Sequence, residues 1–387
     1  MAAARPWSSL HEDLLHRIIL LLTCIADRVR ASAVSKHWRQ VALQNPSPLP
    51  YLVRPSTART ESYRIFGRFA DPRPYLSAEG RAERFCGSAP GGWFVGASPH
   101  GRGHALLNLG TGERVALPDR VCIPINSGNI RCPMMIRAAA MSAAPSSGAC
   151  VVAAITSTRT TMAFCRPGME CWTSLPAEMT ARPNAQDLTY HDGWFWAIDS
   201  DDDLSCYKAE LSTSRQTILH LAYGIGAPRT DMAHGEIVSR YLLPSASGAD
   251  LLMVRRFISP ATGRTSRFQV YRLQKPQVGR PASWRVYKMT RQLLFVGRAC
   301  SKAFDTRHAG NPGYIYFLDD VYPGAPHEQN EYPCADAGEW DCSIPVLWET
   351  AYPVCCVLQE CFPFVPLKKP HFLQYKRTPM LELLWYR

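Results

Sequence analysis

The stretch Tyr190-His191-Asp192-Gly193-Trp194-Phe195-Trp196-Ala197-Ile198 decides the fold class of most of this 387-residue chain. An Asp-Gly pair between apolar runs is a strong signal of a tight β-hairpin turn. Trp194 and Trp196 fall on one face of the strand that follows, because strand side chains alternate between faces. A second alternating run, Leu204 to Leu211, comes after an acidic tip. The stretch therefore predicts consecutive antiparallel strands.

Similar short apolar runs, separated by turn residues, continue on both sides of this hairpin. They are Trp93–Ala97, His104–Leu109, Glu113–Leu117, Cys150–Ile155, Thr161–Cys165, Leu251–Phe257, Arg267–Leu273, Trp284–Met289, Leu293–Val296 and Tyr314–Leu318. The 31 prolines, 25 glycines and a charged fraction of only 19% fit a turn-rich β protein. No series of crossover helices alternates with the runs. The pattern predicts an antiparallel sandwich, barrel or propeller.

A weak internal repeat favours the propeller. The segment RVALP (114–118) recurs as WTSLP (172–176), 58 positions later, and WRVY (284–287) begins 112 positions after Trp172. A period of this order is close to that of kelch-type blades, about 50 residues. Applied to the chain after residue 50, it predicts six or seven blades.

The first 50 residues have a helical pattern instead. Leu14, Leu15, Ile18 and Ile19 belong to a series of apolar residues with three- and four-residue spacing that covers most of a helix circumference. Asp27 is a candidate N-cap for a second helix, and Trp38 marks a third, which Asn45-Pro46 ends. Three short helices cannot bury so many apolar side chains by themselves. A partner surface is therefore expected.

Three segments of this region resemble an F-box: WSSLHEDLL (7–15) with Ile18, DRVR (27–30) and VSKHWR (34–39). The family has Leu-Pro where this chain has Leu10-His11, and usually Cys where Ser35 stands. The resemblance implies a helical module that binds the Skp-type adaptor of a cullin-RING ubiquitin ligase. It implies that Val34 and Trp38 close the module, and that a further set faces the adaptor or the module core: Leu10, Leu14, Leu15, Ile18, Ile19 and Leu22.

The body of the chain resembles the KIB-type, kelch-like β-propeller domain of the large plant F-box family. The segments that carry this resemblance are GWF (92–94), LGTGE (109–113), FCRPG (164–168) before Trp172, YHDGWF (190–195), LFVG (294–297) and YIYFLDD (314–320). Together the two resemblances predict an α+β multidomain chain. Its parts are a three-helix F-box (5–46), a Pro-rich linker (47–65), a mainly antiparallel propeller (66–370) and a C-terminal strand or tail (371–387) that is a candidate for closing the propeller.

The net charge of +11 is unevenly distributed. Leu251 to Gly310 contains ten Arg and three Lys against one Asp, whereas His308 to Leu367 contains nine acidic residues and no Lys or Arg. The two stretches nearly cancel, and a nucleic-acid binder would keep its basic stripe unopposed, so nucleic acid is disfavoured as a partner. One of these charged stretches is expected to face a protein client, through the candidates Arg255, Arg256 and Arg267.

The cysteines and apolar runs indicate the cytoplasm or the nucleus. The 14 cysteines form no C-x-x-C pair, so reduced, buried cysteines are expected. The longest strongly apolar run, Ile18 to Ala26, is too short for a membrane span, which needs about 20 residues. Glu12 and Asp13 precede this run where a signal peptide is basic.

A few acidic and histidine residues have spacings that resemble metal or catalytic sites. Asp199, Asp201, Asp203 and Glu210 match positions of a calcium loop, but Leu204 occupies the glycine position, so an acidic hairpin tip is the simpler interpretation. His100 and His104 have no third ligand nearby in sequence. Asp319 and Asp320 are adjacent, so as strand residues they point to opposite faces and do not form an acid/base pair. No cofactor, metal or catalytic residue is expected.

The sequence therefore predicts the substrate-recognition subunit of a Skp-cullin-F-box ubiquitin ligase, with an unknown protein client. One alternative is an interaction propeller with a degenerate F-box, for which His11 is the relevant feature. Another is a propeller enzyme that cleaves sugars or phosphoesters, which needs two carboxylates about 5 to 10 Å apart in an open channel.

Overall fold

A computed structural model provides the structure of the chain. It describes residues 7, 10–22, 30–44, 51–54, 61–64, 84–89, 91–97, 103–108, 112–156, 162–175, 185–211, 216–223, 225, 236–276, 281–289, 292–305, 313–317, 337–341, 345–348 and 356–358. In this part of the chain, no helix combines the length and the apolar character that crossing a membrane requires.

Three helical segments open the chain, as the apolar periodicity predicts. They are α1 (Glu12–Leu21), a helical turn at residues 30–32 (α2), and α3 (Lys36–Gln44). Two short strands follow, β1 (Tyr51–Arg54) and β2 (Glu61–Arg64), which pair with each other in antiparallel fashion.

Five blades of four or more strands form the body. Blade 1 contains β3 (Arg84–Ala89), β4 (Trp93–Ala97), β5 (Ala105–Asn108) and β6 (Arg114–Ala116). Blade 2 contains β7 (Arg120–Ile125), β8 (Gly128–Pro133), β9 (Ile136–Met141), β10 (Val152–Thr156), β11 (Met162–Cys165) and β12 (Trp172–Ser174), with a short 3₁₀ helix at Pro145–Ser147. Blade 3 contains β13 (Ala185–His191), β14 (Trp194–Asp199), β15 (Leu204–Leu211) and β16 (Gln216–Tyr223).

The last two blades complete this series. Blade 4 contains β17 (Ile237–Pro244), β18 (Leu251–Ile258), β19 (Thr265–Gln274) and β20 (Ser283–Val286). Blade 5 contains β21 (Gln292–Val296), β22 (Lys302–Asp305), β23 (Tyr314–Phe317), β24 (Ala337–Asp341) and β25 (Pro345–Trp348). Pairing is antiparallel except where β12 joins β7 and where β21 joins β23.

The blades follow one another in a ring-like series. β3 lies beside β9, β9 beside β13, β13 beside β17, and β17 beside β22. A further strand, β26 (Cys356–Leu358), pairs with β1 and lies beside β3, so a three-stranded sheet joins distant parts of the chain at the edge of blade 1.

The predicted number of six or seven blades is wrong, because the described residues form five. Blade 1 begins at Arg84, the last four strands of blade 2 begin at Ile136, blade 3 begins at Ala185 and blade 4 at Ile237. The spacing between these starting points is close to the expected length of the repeat. The error came from assigning the whole chain after residue 50 to blades. The strands β1, β2 and β26 instead form the separate three-stranded sheet.

The sequence repeat marks the fourth strand of a blade. RVALP begins with β6 of blade 1, WTSLP with β12 of blade 2 and WRVY overlaps β20 of blade 4. Trp172 and Trp284 are both buried, and each indole N–H donates to a distant backbone carbonyl: Trp172 to Pro118 (2.7 Å) and Trp284 to Asp202 (2.9 Å).

The hydrophobic core is divided among the blade interfaces. Separate buried clusters lie between blades 1 and 2, 2 and 3, 3 and 4, and 4 and 5. Blade 1 approaches blade 2 so closely that a Cβ on Gly87 would lie 1.9 Å from the backbone oxygen of Ala139. Only glycine fits there, at an irregular position in the pairing of β3 with β4.

One cysteine prediction is wrong. Cys122 of β7 and Cys171, just before β12, form a disulfide, so not all cysteines are reduced in this structure. Cys86, Cys150 and Cys165 are among the free, buried cysteines, as expected. The tail 371–387, His100 and the Asp319-Asp320 pair lie outside the described residues, and the domain boundaries remain predictions.

Candidate functional site

The start of α1 is capped by the histidine that replaces the family's proline. His11 is the N-cap residue, with φ −60° and ψ 141°, and its Nδ1 accepts a hydrogen bond from the Asp13 N–H at 3.4 Å. Its backbone oxygen accepts from the N–H groups of Leu14 and Leu15, both at 3.1 Å. His11 therefore supplies a cap through its side chain, where proline would supply a fixed φ.

Ser35, the other departure from the F-box pattern, caps α3. Its hydroxyl oxygen accepts from the Trp38 N–H at 3.2 Å, which is the usual bond of a serine N-cap. The indole N–H of Trp38 donates to the Trp7 carbonyl at 2.9 Å, and His37 Nε2 lies 3.2 Å from the Leu10 carbonyl. Trp7 and Leu10 are thus joined to the third helix, so the first and last parts of the F-box motif lie together.

The module has its own small core. Its buried members are Leu15, Ile19, Ala31, Trp38, Val41 and Ala42, and Leu10, Ile18 and Leu22 pack against them partly buried. Leu15 and Ile19 are four residues apart and so lie on one face of α1. This face of α1 is therefore covered by other residues of the module.

A second apolar stripe on α1 is left open. Leu14, Ile18 and Leu21 follow at four- and three-residue spacing; Leu14 is 51% and Leu21 80% exposed, and Ile18 between them is partly buried against the module core. Val34, which the resemblance assigned to closing the module, is also 51% exposed and lies outside the described core. Leu14 and Ile18 belong to the set expected to face the adaptor or the module core, whereas the exposed Leu21 was omitted from that set. The spacing from Leu14 was the signal that could have found it.

The client candidates on β18 are buried. Arg255 Nε donates to Asp202 at 2.9 Å, and its guanidinium lies 5.3 Å from the centre of the Tyr271 ring. Arg256 is fully buried, donates to Thr265 Oγ1 at 2.8 Å and lies 4.4 Å from the centre of the Phe317 ring. Neither side chain can reach a client, so this prediction is wrong for Arg255 and Arg256. The basic stretch could not reveal it, because burial depends on the neighbouring blades.

Arg267, the third candidate, is partly exposed. Its Nη2 lies 2.7 Å from Glu236 Oε2, and its guanidinium lies 4.0 Å from the centre of the Phe257 ring. About a third of the Arg267 side-chain surface is exposed to solvent. A role for Arg267 in binding a client stays a prediction.

Asp202 joins blade 3 to blade 4 and was not recognised from the sequence. It lies in the β14–β15 turn with φ 66°, fully buried, and its carboxylate pairs with Arg240 (Nε to Oδ1, 2.8 Å) and with Arg255. Its backbone oxygen accepts the Trp284 indole N–H. One carboxylate thus compensates two buried guanidinium groups, which would be costly to bury alone.

The same turn confirms the interpretation of the acidic run as a hairpin tip. Asp199 Oδ1 accepts from the N–H groups of Asp201 (2.9 Å) and Asp203 (3.0 Å), so this carboxylate closes the turn. Asp202, which the calcium pattern does not use, points inward instead. Within the described ranges no group of three His, Cys, Asp or Glu side chains is placed to hold a metal ion.

Asp187 connects three blades. It lies on β13, and its two oxygens accept from Leu242 N–H of blade 4 (2.8 Å) and Ala299 N–H of blade 5 (2.6 Å). Complete burial raises the pKa of Asp187 to about 7, although the backbone donors and the nearby Arg298 lower it. The residue is a structural link whose charge depends on pH.

Two family models match this chain. A model described as the KIB1-4 beta-propeller matches residues 59–340, which is most of the chain. The chain belongs to the KIB1-4 β-propeller family. An F-box domain model matches residues 7–48, the segment that contains α1 and α3. The two matches support the F-box protein with a propeller domain that the sequence predicted, and such domains are typical of non-catalytic adaptor or receptor subunits.

Solved structures have only a weak similarity to this KIB1-4 propeller. The N-terminal domain of Nup159 has a TM-score of 0.33 and 9% identity, covering 75% of this chain and 70% of that one. A putative 6-phosphogluconolactonase from Bacteroides uniformis has a TM-score of 0.29 and 10% identity, covering 66% of this chain and 71% of that one. Kluyveromyces lactis Hsv2 has a TM-score of 0.25 and 7% identity, covering 62% of this chain and 95% of that one. No curated protein matches the chain significantly.

Proposed function

We propose that this protein is a substrate-recognition subunit of a Skp-cullin-F-box ubiquitin ligase. The observation that carries the proposal is the pair of exposed leucines on one face of α1, Leu14 and Leu21, with the partly buried Ile18 between them, on a module that an F-box model matches. Contiguous exposed apolar residues mark interaction sites. F-box domains generally bind Skp1-type adaptors, so the adaptor is the partner proposed for this stripe.

The propeller is proposed to hold a protein client. The chain then acts by position, because holding a client lysine near the charged conjugating enzyme raises its effective concentration. No residue of this chain takes part in bond making. The kelch-like repeat type, a plant origin and a cytoplasmic or nuclear location, all implied by the sequence, belong to this proposal.

Copurification with a Skp-type adaptor tests the first half of the proposal. The variants Leu14→Lys and Leu21→Lys place a charge in the open stripe without touching the buried Leu15 and Ile19. We expect each to weaken adaptor binding by at least about tenfold, the effect of about 1.4 kcal/mol, because a buried unpaired charge is costly.

The matched control is Leu219→Lys. Leu219 is a half-exposed leucine on β16 of blade 3, so the same substitution is made far from the helices in sequence. Adaptor binding should be unchanged, and circular dichroism should show that all three variants fold. Wild-type protein that does not copurify with the adaptor, or stripe variants that bind as well as Leu219→Lys, would overturn the proposal.

A further inference from the structure

The outer strand of blade 4 has an unusual charge arrangement. Arg272 of β19 lies directly opposite Arg285 of β20, and like charges at directly opposed positions destabilise a sheet. Arg272 has some compensation from Asp250, whose carboxylate is 3.8 Å away. Arg285 is exposed, and among the described residues it has no carboxylate partner. The register therefore concentrates positive charge at this edge.

Lys288 extends the same basic edge just beyond β20. It is exposed and, like Arg285, has no acidic partner in the part of the chain that the structure describes. Other cations of the same basic stretch are differently placed: Arg255 and Arg256 are buried, and Lys275 pairs with Asp192 at 2.7 Å. Among these cations, the exposed ones without an acidic partner are thus Arg285 on β20 and Lys288 just beyond it, and none lies on β18.

An apolar residue interrupts the charges. Val286 is 83% exposed, although Trp284, two residues earlier on the same face of β20, is buried between blades 3 and 4. Among the described strands, none pairs with the outer side of β20. An edge strand of this kind presents free backbone donors and acceptors to another strand. Its charges repel basic strands and so restrict which strand can pair.

We propose that β20 binds an extended acidic segment of the client, which adds to blade 4 as an outer strand. Directly opposed residues share a face of a sheet, so the segment would place an acidic side chain opposite Arg285 and an apolar one opposite Val286. The acidic residue relieves the repulsion between Arg285 and Arg272, and the apolar residue covers Val286. The inference rests on the proposed function, since it names the kind of client segment that the propeller recognises.

The geometry favours a polypeptide over a nucleic acid. Single-stranded nucleic acid is bound by cations together with exposed aromatic rings on which bases stack. The aromatic residue of this edge, Tyr287, is partly buried against the core between blades 4 and 5, and the Arg272 guanidinium lies 5.9 Å from its ring centre. The available features are cations, an apolar side chain and a strand edge, which suit an alternating peptide.

The test is a titration of the full-length chain into labelled peptides, followed by fluorescence anisotropy. The probe is a peptide of alternating glutamate and valine. Three comparison probes separate the sources of binding: alternating lysine and valine, alternating glutamate and proline, and single-stranded RNA of the same charge. Proline fixes φ at about −65° and removes every second backbone donor, so the third peptide keeps the charge but is a much poorer strand than the Glu-Val peptide.

The variant is Arg285→Glu with Lys288→Glu, and the control is Arg264→Glu. Arg264 is an exposed arginine of the same basic stretch in the β18–β19 turn, so the control makes the same kind of charge change away from β20. We expect the Glu-Val peptide to bind and the double variant to weaken it by at least about tenfold, because attraction becomes repulsion opposite Arg285 and the edge also loses the positive charge of Lys288. Arg264→Glu should bind like wild type.

Several results would overturn the inference: no binding of the Glu-Val peptide, equal binding by the double variant, equal binding of the Glu-Pro peptide, or RNA binding that is tighter and equally dependent on Arg285 and Lys288. The titration contains no adaptor. Its failure therefore counts against the edge-strand site alone, whereas failure to copurify with the adaptor counts against the proposed ligase function alone.

Discussion

The buried triad of Asp202, Arg240 and Arg255 allows a sharp prediction about how blades 3 and 4 are held together. The substitution to test is Asp202→Asn. Asparagine accepts the left-handed backbone of this position, φ 66°, nearly as readily as aspartate, so the change removes the negative charge without straining the turn.

The expected cost follows from burial. Asp202 is fully buried, and the side chains of Arg240 and Arg255 retain only 9% and 3% exposure, so both guanidinium groups lose their counter-charge away from water. Removing one partner of a buried ion pair costs about 3 to 5 kcal/mol. We expect Asp202→Asn to lower the free energy of unfolding by that amount.

Denaturant unfolding measures the effect as a shift in midpoint at constant slope. The matched control is Asp201→Asn, because Asp201 is the exposed neighbour in the same turn. Surface changes of this kind usually stay within about 0.5 kcal/mol. Arg255→Met should also cost less in the Asp202→Asn background than in wild type, since it then removes a charge that is already less well compensated.

A small effect would refute this reasoning. If Asp202→Asn costs no more than Asp201→Asn, the triad contributes nothing net, and another contact must hold blade 3 against blade 4. Equal costs of Arg255→Met in both backgrounds would show that the two residues are not coupled.

Three further predictions concern other parts of the chain. The contribution of Asp187 to the free energy of unfolding should fall as pH rises from 3.8, its ordinary pKa, to about 7, because the folded state holds this proton more tightly than the unfolded state. In urea titrations at stepped pH, wild type should therefore lose free energy of unfolding relative to Asp187→Asn over this range, and parallel curves for the two proteins would contradict the prediction. His11→Pro should change adaptor affinity by less than about threefold. The φ of −60° suits proline, and the loss of the side-chain cap bond offsets the gain from a more restricted unfolded chain. A tenfold gain in affinity in a binding assay would show that His11 weakens adaptor binding. Cys122→Ser should lower the free energy of unfolding by about 2 to 4 kcal/mol, because a disulfide between cysteines 49 residues apart is lost. A reductant should destabilise wild type and the Cys132→Ser control but should not destabilise Cys122→Ser further. If the reductant leaves the stability of wild type unchanged, the disulfide is contradicted.

Local sequence was sufficient for the elements. The Asp192-Gly193 turn joins β13 to β14 as predicted, and Asp192 and Gly193 both have positive φ. The RVALP and WTSLP repeat located two fourth strands, and the helical spacing located α1 and α3. These features depend on residues a few positions apart, so turn chemistry and periodicity predict them.

Long-range placement was beyond the sequence pattern. The blade number depended on whether β1, β2 and β26 belong to a blade or form a separate sheet, which is decided by pairing between distant parts of the chain. For the client candidates, the error had a similar cause. Arg255 and Arg256 resemble exposed cations in a basic stretch, but partners 53 and 9 residues away bury them.

The sequence by itself thus determined what each segment is: helical module, hairpins, repeating strands and an excess of basic residues before an acidic stretch. Only the tertiary structure decided which of those residues face water. It buried Arg256 against Phe317 and left Arg285 exposed at the edge of blade 4, although both lie on strands of the same basic stretch. The physical reason is that burial is a property of neighbouring blades, which the chain brings together from distant positions, whereas periodicity reports only on one strand or helix at a time.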